Sequence, residues 1–524
     1  MRRVLELARV DLLDIELPDG RKAKREVIRH GNAVSRTARR NFGIISAFRH
    51  AGTRERKAMY TLGIDSSTQS MKALVYDTDA GKAVKTVSVN FGKDLPEYGC
   101  PDGFLPCADP LVRHADPKLW MAALDKVLAK LQSEFDTSKI AAIGGDGQQH
   151  GSVYLNSSWR GALAKLGAEG GASDLVSAFS GVFSRATAPI WMDSSTRAQV
   201  NALDAKFGDS LRARTGSPAI ERFTGPQIMK FASEDPAAYA ATERIHLVSS
   251  FLCSLLCGAD APIDMGDGAG MNLLNLERGE WDEEICEFTA PGLAAKLPAA
   301  RNGLAGRLAP YFAKYGLRPG IPVAAFTGDN PASLVGTGAD KPGVAVISLG
   351  TSDTFFAAMP EFRTDPDGCG HVFGNPSGGC MSLACFKNGS LAREKVRAMV
   401  GCDYAFFDEG AFAEAGAFAG RAFPYFEEEI TPKHAATGIE ADFDWQGASA
   451  AEKVVSVVRG QVRNMFDRTR WIGAFDTIRV TGGASRSKGI RDTIAAVFGA
   501  KVETLDVPDS AALGGALLAA RLPC

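Results

Sequence analysis

Short apolar segments that end in polar, glycine-containing turns recur along this chain. Residues 323–326 are apolar and are followed by Thr327-Gly328-Asp329-Asn330-Pro331. The apolar run predicts a buried strand, and the proline predicts that a helix begins directly after the turn. Asp329 is therefore expected at the carboxyl end of a strand, where open α/β sheets bind their ligands. A simple helix cap is the alternative for a lone aspartate at such a turn.

A similar pattern begins at Tyr60, where two apolar segments flank a run of hydroxyl side chains. Residues 60–64 and 71–76 predict a β-hairpin whose tip is Asp65-Ser66-Ser67-Thr68-Gln69. Residues 117–135 carry apolar side chains at helical spacing and predict an amphipathic helix. A strand predicted at 140–143 then runs into the glycine-rich segment 144–151.

The second half of the chain repeats this pattern. Residues 344–349 predict a strand that ends in Gly350-Thr351-Ser352 and continues as a second strand. Residues 478–481 predict another strand, which precedes the pair Gly482-Gly483 and a helix from about Lys488. Asp509 begins a predicted helix of small residues that can pack closely. We interpret the repetition as a weak internal duplication of one domain type, with a cleft between the copies.

The pattern divides the chain into three regions: residues 1–58, residues 59–320 and residues 321–524. The boundary between the second and third regions is placed in the segment 314–322, which is rich in glycine and proline. The first region is a basic N-terminal extension. One hypothesis is that its start is mis-assigned and that translation begins at Met59; a basic tail or an organelle-targeting segment is the alternative.

Charge and composition narrow the function classes. Residues 1–58 carry 15 lysines and arginines against 7 acidic residues, whereas the rest of the chain carries 44 against 54. So acidic a body is not expected to bind nucleic acid. The sequence contains no run of 18 apolar residues, so no membrane partner is expected. The 10 scattered cysteines indicate reduced thiols and a cytoplasmic protein.

Three predicted strand ends carry the small and hydroxyl residues that suit phosphate oxygens. They are the turns after residues 65, 349 and 481. Backbone N–H groups and hydroxyls there can donate hydrogen bonds, and small side chains let the backbone approach a phosphate. Any one of them could be an ordinary turn, but together they favour a nucleoside triphosphate. Asp65 beside the first turn is a candidate ligand of Mg²⁺, with turn capping as the alternative.

From Met59 onwards, the chain resembles the FGGY family of carbohydrate kinases. The resemblance rests on ordered motifs that begin at Gly63, Gly147, Trp191, Glu221, Gly328, Ser348, Cys385 and Thr481. It implies an α/β fold of two actin-like ATPase (RNase H-like) domains that flank an interdomain cleft. It also implies the ATP-dependent phosphorylation of D-xylulose at O5, with Mg²⁺.

Site residues follow from the resemblance position by position. Asp329 is the expected catalytic base. The expected ketose contacts are His150, Arg222, Asp329, Asn330 and Gln149. The expected nucleotide contacts are Ser67, Thr68, Gly350, Thr351, Ser352, Gly482, Gly483 and Tyr404. A neutral polyol must be recognised through buried hydrogen bonds, for which His150, Arg222 and Asn330 are expected donors.

The resemblance implies that the partners are a small-molecule ketose and ATP, and that the protein is a monomer or a homodimer. We expect the cleft to close on the sugar, with a hinge near residues 314–322, because closure would protect ATP from water. A kinase for ribulose or glycerol, or a catalytically silent sugar sensor, remains an alternative.

Overall fold

A computed structural model describes residues 9–16, 22–29, 59–168 and 170–523 of the chain. Contacts within the chain define two units, Met1–Arg56 and Lys57–Cys524, which are considered separately. In the first unit, the strands Arg9–Glu16 and Lys22–Arg29 pair in antiparallel fashion. The remainder of the predicted N-terminal extension lies outside the described residues.

The second unit begins with a mixed sheet, the first sheet. Its strands are β1 (Tyr60–Ser66), β2 (Ser70–Asp77), β3 (Lys82–Asn90), β4 (Ile140–Gly147), β5 (Leu304–Arg307), β6 (Pro322–Ala324) and β7 (Thr327–Gly328). Strands β1 to β3 form an antiparallel meander, which contains the predicted hairpin. Strand β4 lies parallel to β1, and both β6 and β7 lie parallel to β4. The sheet order is β5-β6-β4-β1-β2-β3.

The first sheet extends further along the chain than the sequence pattern suggested. Because β6 and β7 pair with β4, residues 322–328 belong to the first domain, and the boundary predicted at 320 lies too early. The segment 314–322 also packs in the first domain, where Tyr315, Leu317 and Ile321 are buried in the core. The hinge predicted at 314–322 therefore falls within the packed part of the first domain and not between the two sheets.

A second sheet shares a five-strand core order with the first and differs from it in the edge strands. Its strands are β8 (Val344–Leu349), β9 (Asp353–Met359), β10 (His371–Gly374), β11 (Cys380–Phe386), β12 (Thr477–Thr481) and β13 (Lys501–Thr504). Strands β8, β9 and β11 form an antiparallel meander, and β12 and β13 follow in parallel on the other side of β8. The meander and parallel pair match β1-β2-β3 and β4-β6, so the structure repeats one domain type, as the sequence indicated.

Five helices pack on these sheets or between them. They are α1 (Pro117–Glu134), α2 (Asp329–Gly336), α3 (Ala450–Thr469), α4 (Lys488–Phe498) and α5 (Ser510–Ala520). Helix α1, predicted at 117–135, is capped by Asp116 and buries Leu119, Trp120 and Leu124 against the first sheet. In α3, the Ser449 and Glu452 side chains bond to each other's backbone N–H groups and form a capping box.

Helices α2 and α5 cross at very close range. A Cβ atom added to Gly514 in α5 would lie 1.9 Å from the Ala332 carbonyl oxygen of α2, and one added to Gly336 would lie 1.9 Å from the Ser510 oxygen. Each helix follows the last strand of one domain and contacts the other domain. Leu334 of α2 lies in the second core, whereas Ala512 and Ala516 of α5 pack on Leu74 of the first sheet. The small residues predicted to permit close packing do so here.

Other elements complete the described chain. Further helical segments are Phe91–Asp94, Pro96–Tyr98, Thr137–Lys139, Trp159–Lys165, Leu175–Ala178, Arg197–Phe207, Asp209–Thr215, Thr224–Glu234, Pro236–Ala241, Val248–Cys257, Met265–Ala269, Glu283–Thr289, Leu293–Lys296, Pro310–Tyr315, Ser390–Val400, Phe406–Gly410, Ala411–Ala415 and Gly483–Arg486. Short strands are His114–Ala115, Ser152–Asn156, Ala188–Pro189, Thr242–Leu247, Leu274–Asn275, Glu280–Trp281, Ala422–Tyr425, Glu429–Ile430, Lys433–His434 and Gly438–Ala441. Among the described residues, no helix has the length and apolar character needed to cross a bilayer.

Candidate active site

Three neighbouring strands of the first sheet end at one edge and bring three aspartates together. Asp65 near the end of β1 lies in register with Asp146 near the end of β4. Thr327 of β7 also lies in register with Asp146, and Asp329 begins helix α2 directly after β7. Since the carboxyl ends of parallel strands face the ligand crevice of an α/β sheet, this edge is the candidate site.

Asp329 is half-buried at this edge and is held by the residue that follows it. The backbone N–H of Asn330 donates to Asp329 Oδ1 at 2.9 Å, and the Asn330 side-chain amide donates to the same oxygen at 3.0 Å. Burial, followed by the charge of Asp65, raises the pKa of Asp329 to about 6. A carboxylate with a raised pKa at a strand end is suited to accept a proton near neutral pH.

Asp146 is a site residue that the sequence did not single out. Its side chain is fully buried, and neither carboxyl oxygen has a hydrogen-bond partner within the described part of the chain. Burial, with the charge of Asp65 as the second cause, raises the pKa of Asp146 well above its usual range. The available signal was positional, because a charged residue in the run Gly144-Gly145-Asp146-Gly147 ends the strand beside Asp65.

Gln149 joins the end of β4 to helix α2. Its Oε1 accepts a hydrogen bond from the Asn330 side-chain amide at 2.9 Å. A Cβ atom at Gly328 would lie 2.3 Å from Gln149 Cγ, so glycine is needed for this close approach. The buried Gln149 Nε2 has no partner among the described residues and can donate to a ligand. The structure thus brings together Gln149, Asn330 and Asp329.

His150 adopts a backbone conformation that is uncommon for a side chain with a Cβ atom. Its φ angle is 69°, in the left-handed region, and such strain concentrates at functional sites. The ring lies 4.4 Å from the Phe223 ring in a stacked arrangement. Its Nδ1 lies 2.9 Å from the Gly270 carbonyl oxygen. A carbonyl can only accept, so Nδ1 carries the proton.

The remaining nitrogen of His150 is therefore an acceptor. Burial, with Arg222 as the next cause, lowers the pKa of His150 well below its usual range and keeps the ring neutral. A neutral ring with its proton on Nδ1 presents a lone pair at Nε2. The expectation that His150 donates to a sugar is thus corrected: it would accept from a hydroxyl.

Arg222 is half-buried near the same rings. Its guanidinium carbon lies 5.9 Å from the centre of the Phe223 ring, and burial lowers the pKa of the group. No ion pair or hydrogen bond of its side chain occurs among the described residues, so its donors remain available. His371 of β10 brings the second domain to this point, since its ring lies 5.5 Å from that of Phe223.

The residues predicted to bind nucleotide divide between the two domains. In the second domain, a cavity of about 440 Å³ includes Gly350, Thr351, Tyr404 and Gly483 in its lining, and we call it the Tyr404 cavity. Tyr404 is exposed, and its hydroxyl donates to Glu394 at 3.1 Å. Gly482 is not among the lining residues, but it forms the turn beside them. Its φ is 90°, and a Cβ atom there would lie 2.4 Å from the Leu349 oxygen.

Ser67 and Thr68 lie on the first hairpin tip and outside the lining of the Tyr404 cavity. Ser67 Oγ donates to Asp65 at 3.2 Å, and Trp191 Nε1 donates to Thr68 Oγ1 at 2.8 Å. Trp191 is 42% exposed, although large aromatic residues are usually buried, and it is not among the site residues predicted from the sequence. Ser352 follows Thr351 on the second tip and is also outside the cavity lining.

Asp65 fits the role of a cation ligand on chemical grounds. It is 5% exposed, and its Oδ1 has no hydrogen-bond partner in the described chain. No group of three or more acidic, histidine or cysteine side chains placed to hold a metal occurs among these residues. A site with few carboxylates suits Mg²⁺, which retains waters and takes further oxygens from phosphates.

Comparison with known families identifies the class of protein. The model of the N-terminal domain of the FGGY family of carbohydrate kinases matches residues 186–336, and that of the C-terminal domain matches residues 345–522. The chain belongs to the FGGY family of carbohydrate kinases. The family models also place the change of domain between 336 and 345, in agreement with the two sheets.

Individual relatives support the same conclusion. The chain is 39% identical over 474 residues to the xylulose kinase of Mus musculus, covering 87% of this chain and 84% of the relative. It is 37% identical over 494 residues to xylulose kinase 2 of Arabidopsis thaliana, covering 88% and 86%. The solved xylulose kinase of Bifidobacterium adolescentis, at 22% identity, matches with a TM-score of 0.71 over 88% of this chain and 92% of that one. The predicted fold of two actin-like domains is confirmed.

Proposed function

We propose that this protein phosphorylates D-xylulose to D-xylulose 5-phosphate with ATP. The observation that carries the proposal is the match to relatives named xylulose kinase, which spans 84% of the mouse protein. The geometry of Asp329, Asn330, Gln149 and His150 supports it, because these groups can hold a neutral polyol. The Tyr404 cavity in the other domain supports it as the place for the nucleotide.

Asp329 is the proposed general base. Both hydrogen bonds from Asn330 engage Oδ1, which fixes the carboxylate and leaves Oδ2 to take a proton. The sugar hydroxyl would lose its proton to Asp329 as its oxygen bonds to the terminal phosphorus and the bond to the leaving ADP oxygen breaks. The rest of the chemistry is positioning and charge neutralisation, as in phosphoryl transfer generally.

Recognition of the sugar would use both hydrogen-bond donors and a hydrogen-bond acceptor. Arg222 and Gln149 Nε2 donate, whereas His150 Nε2 accepts. A sugar that lacks one of the matching hydroxyls would leave a buried group unpaired, which is strongly unfavourable. Closure of the cleft on the sugar remains part of the proposal.

Asp65 would hold Mg²⁺ directly or through water, and Ser67 and Thr68 lie beside it on the hairpin tip. When bound, the ion supplies neutralising charge for phosphate oxygens. Gly350, Thr351, Gly483 and Tyr404 would contact ATP, with Ser352 and Gly482 supporting the two turns.

A coupled assay of ADP release tests the function. The assay uses D-xylulose, D-ribulose and glycerol with two forms of the protein, one that starts at Met1 and one that starts at Met59. Higher kcat/KM for D-xylulose in both forms is the expected result. Preference for ribulose or glycerol would replace the proposed substrate, and sugar binding without ADP release would favour a silent sensor.

The cellular location and the oligomeric state of the protein are proposed from the sequence. A cytoplasmic location follows from the scattered cysteines, and a monomer or a homodimer is expected. Sedimentation velocity of the purified chain measures the oligomeric state.

A further inference from the structure

A groove on the second domain has no part in the proposed reaction. Its volume is about 510 Å³, and its lining includes Phe412, Phe418, Arg421, Arg459, Arg463 and Asp492. We call it the arginine groove. Arg459 and Arg463 are separated by one turn of α3 and so share a face of that helix. Three cations and two aromatic rings therefore surround a single concave surface, with one carboxylate.

The cations of the arginine groove retain unused hydrogen-bond donors. Arg421 Nε bonds to Asp442 at 3.2 Å, and Arg463 Nε bonds to Asp467 at 2.9 Å. These bonds leave the terminal guanidinium nitrogens of both side chains without partners among the described residues. Arg459 Nη1 is shielded from solvent and also lacks a partner in the described chain. A shielded guanidinium N–H group without a partner is unfavourable, and an anion beside it would relieve it.

The only acidic residue in the lining is already engaged. Asp492 forms an ion pair with Lys488, which lies four residues earlier on α4. It therefore offers little competition for the three arginines. Guanidinium groups bind phosphate oxygens through paired N–H donors, and phenylalanine rings pack against apolar groups. The chemistry of the groove thus fits a phosphate ester with an apolar face.

One wall of the arginine groove is also a wall of the Tyr404 cavity. The π-helical turn Phe406–Gly410 continues directly into the helix Ala411–Ala415. Phe407 and Asp408 line the cavity, whereas Phe412, about one turn later, lines the groove. Single π-helical turns are rare and often occur at functional sites. A shift of this segment would therefore change both spaces.

Helix α4 also contributes lining residues to both the arginine groove and the Tyr404 cavity. Gly489 lines the groove and Ile490 lines the cavity. The Phe412 ring lies against Gly489, where an added Cβ atom would be 2.1 Å from the ring. The Ser487 hydroxyl donates to the Asp408 carbonyl at 3.3 Å and joins the start of α4 to the π-helical turn.

We propose that the arginine groove is a second phosphate site, which binds a small organic phosphate and changes nucleotide affinity through the shared wall. The linkage rests on the proposed nucleotide role of the Tyr404 cavity, whereas binding in the groove does not. The phosphate would contact Arg459 and Arg463, and its apolar part would pack on Phe412 and Phe418. Displacement of Phe412 would move Phe407 and Asp408 in the cavity.

Calorimetric titration of the full chain with phenyl phosphate tests the site, without sugar or turnover. Phenyl phosphate combines a phosphate for the arginines with a ring for the phenylalanines. We expect saturable binding that Arg459→Gln weakens by about tenfold, because a charged hydrogen bond is lost. Arg459→Lys should recover part of it. Arg468→Gln is the matched control, since it removes an arginine of α3 that does not line the groove and that pairs with Asp367 instead, and it should leave binding unchanged.

The linkage is measured by repeating the titration with ADP present. Saturating phenyl phosphate should change ADP affinity by about fivefold, and saturating ADP should change phenyl phosphate affinity by the same factor. No saturable binding, or equal binding to the wild type and Arg459→Gln, would overturn the site. Full displacement by ADP would assign the probe to the nucleotide cavity and also overturn it. Binding that leaves ADP affinity unchanged would overturn the linkage.

Failure of the proposed function would be distinct from any of these results. A chain that binds phenyl phosphate in the groove but phosphorylates no sugar would retain the second site and lose the kinase assignment. Circular dichroism and thermal unfolding of each variant exclude loss of fold as the reason for weaker binding.

Discussion

The two domains share a five-strand core but differ in the charge at their strand ends. In the first domain, Asp65, Asp146 and Asp329 gather at the sheet edge, and none forms an ion pair among the described residues. In the second domain, Asp353 begins the strand after the tip and is bridged by Arg393 at 2.6 and 2.8 Å. One domain thus presents carboxylates without counter-ions, whereas the other neutralises its carboxylate internally.

We call the first domain, with its unpaired carboxylates, the reactive half. We call the second domain, with its paired carboxylate, the holding half. Carboxylates without a cation partner can take a proton or a metal ion, which phosphoryl transfer requires. A buried, paired carboxylate instead orders the hairpin whose Gly350 and Thr351 line the Tyr404 cavity. The two halves of a duplicated fold therefore need not share a role, and the environment of their carboxylates decides it.

The largest effect is expected when the proposed base of the reactive half is removed. Asp329→Ala should lower kcat by about a thousandfold or more, because the base on the sugar hydroxyl is lost. Calorimetry should give an ADP affinity close to that of the wild type, because the Tyr404 cavity is unchanged. Asp329→Asn should behave alike. Retained turnover in both variants would contradict the assigned role.

The next largest effect is expected when the buried ion pair of the holding half is removed. Asp353→Asn leaves Arg393, which is 5% exposed, without its counter-charge. We expect the free energy of unfolding to fall by about 3 kcal/mol, because an unpaired buried charge is strongly destabilising. Urea unfolding at neutral pH measures this change. Asp329→Asn is the control and should not destabilise the protein; equal losses in both variants would remove the contrast between the domains.

The sequence alone predicted the repeated elements of this comparison. The hairpin of β1 and β2, helix α1 and the turns after β8 and β12 follow from local periodicity and glycine placement. The domain boundary did not, because β6 joins the first sheet by pairing with Ile143 of β4, far earlier in the chain. Such long-range pairing leaves no local pattern.

The residues of the candidate site could be predicted only in part from the sequence, for the same reason. Asp329 stood out at a strand end, but Asp146 lies in a glycine-rich run and gains its place from its register with Asp65. The direction of the His150 hydrogen bond depends on the Gly270 carbonyl, 120 residues away. No sequence pattern specifies which nitrogen carries the proton.

A smaller effect is expected in the pH dependence of kcat/KM. Asp329 is active as a base only when ionised, and its pKa is raised to about 6 by burial and by Asp65. We expect kcat/KM to rise with pH through about 6 and to be about tenfold below its plateau at pH 5, one unit lower. A plateau that extended unchanged to pH 5 would contradict a base of this pKa.

The same shift predicts the pH dependence of stability. The folded-state pKa lies above that of an unfolded aspartate, so ionisation of Asp329 opposes folding at high pH, and its protonated form is favoured at low pH. Asp329→Asn should thus be more stable than the wild type by about 3 kcal/mol at pH 8, with the difference fading as pH falls below about 6 towards 4. Parallel stability curves for the two proteins would exclude the shift.

The smallest expected effect concerns the glycine pair of the second domain. A Cβ atom at Gly483 meets nothing within 4 Å, whereas Gly482 has a positive φ and a close backbone neighbour. Gly483→Ala should fold normally and weaken ADP binding by about threefold, because it narrows the approach of a phosphate to the backbone. Gly482→Ala should instead lower the melting temperature. Equal behaviour of the two variants would show that only the turn matters.

The crossing of α2 and α5 limits how independent the repeated halves can be. Each helix completes the apolar interior of the half that did not precede it in the chain, through Leu334 in one direction and Ala512 in the other. A polypeptide cut between residues 336 and 344 would therefore yield two fragments with incomplete interiors. The fragments are expected to fold on mixing and not alone, so the present duplication cannot be undone by simple fission of the gene.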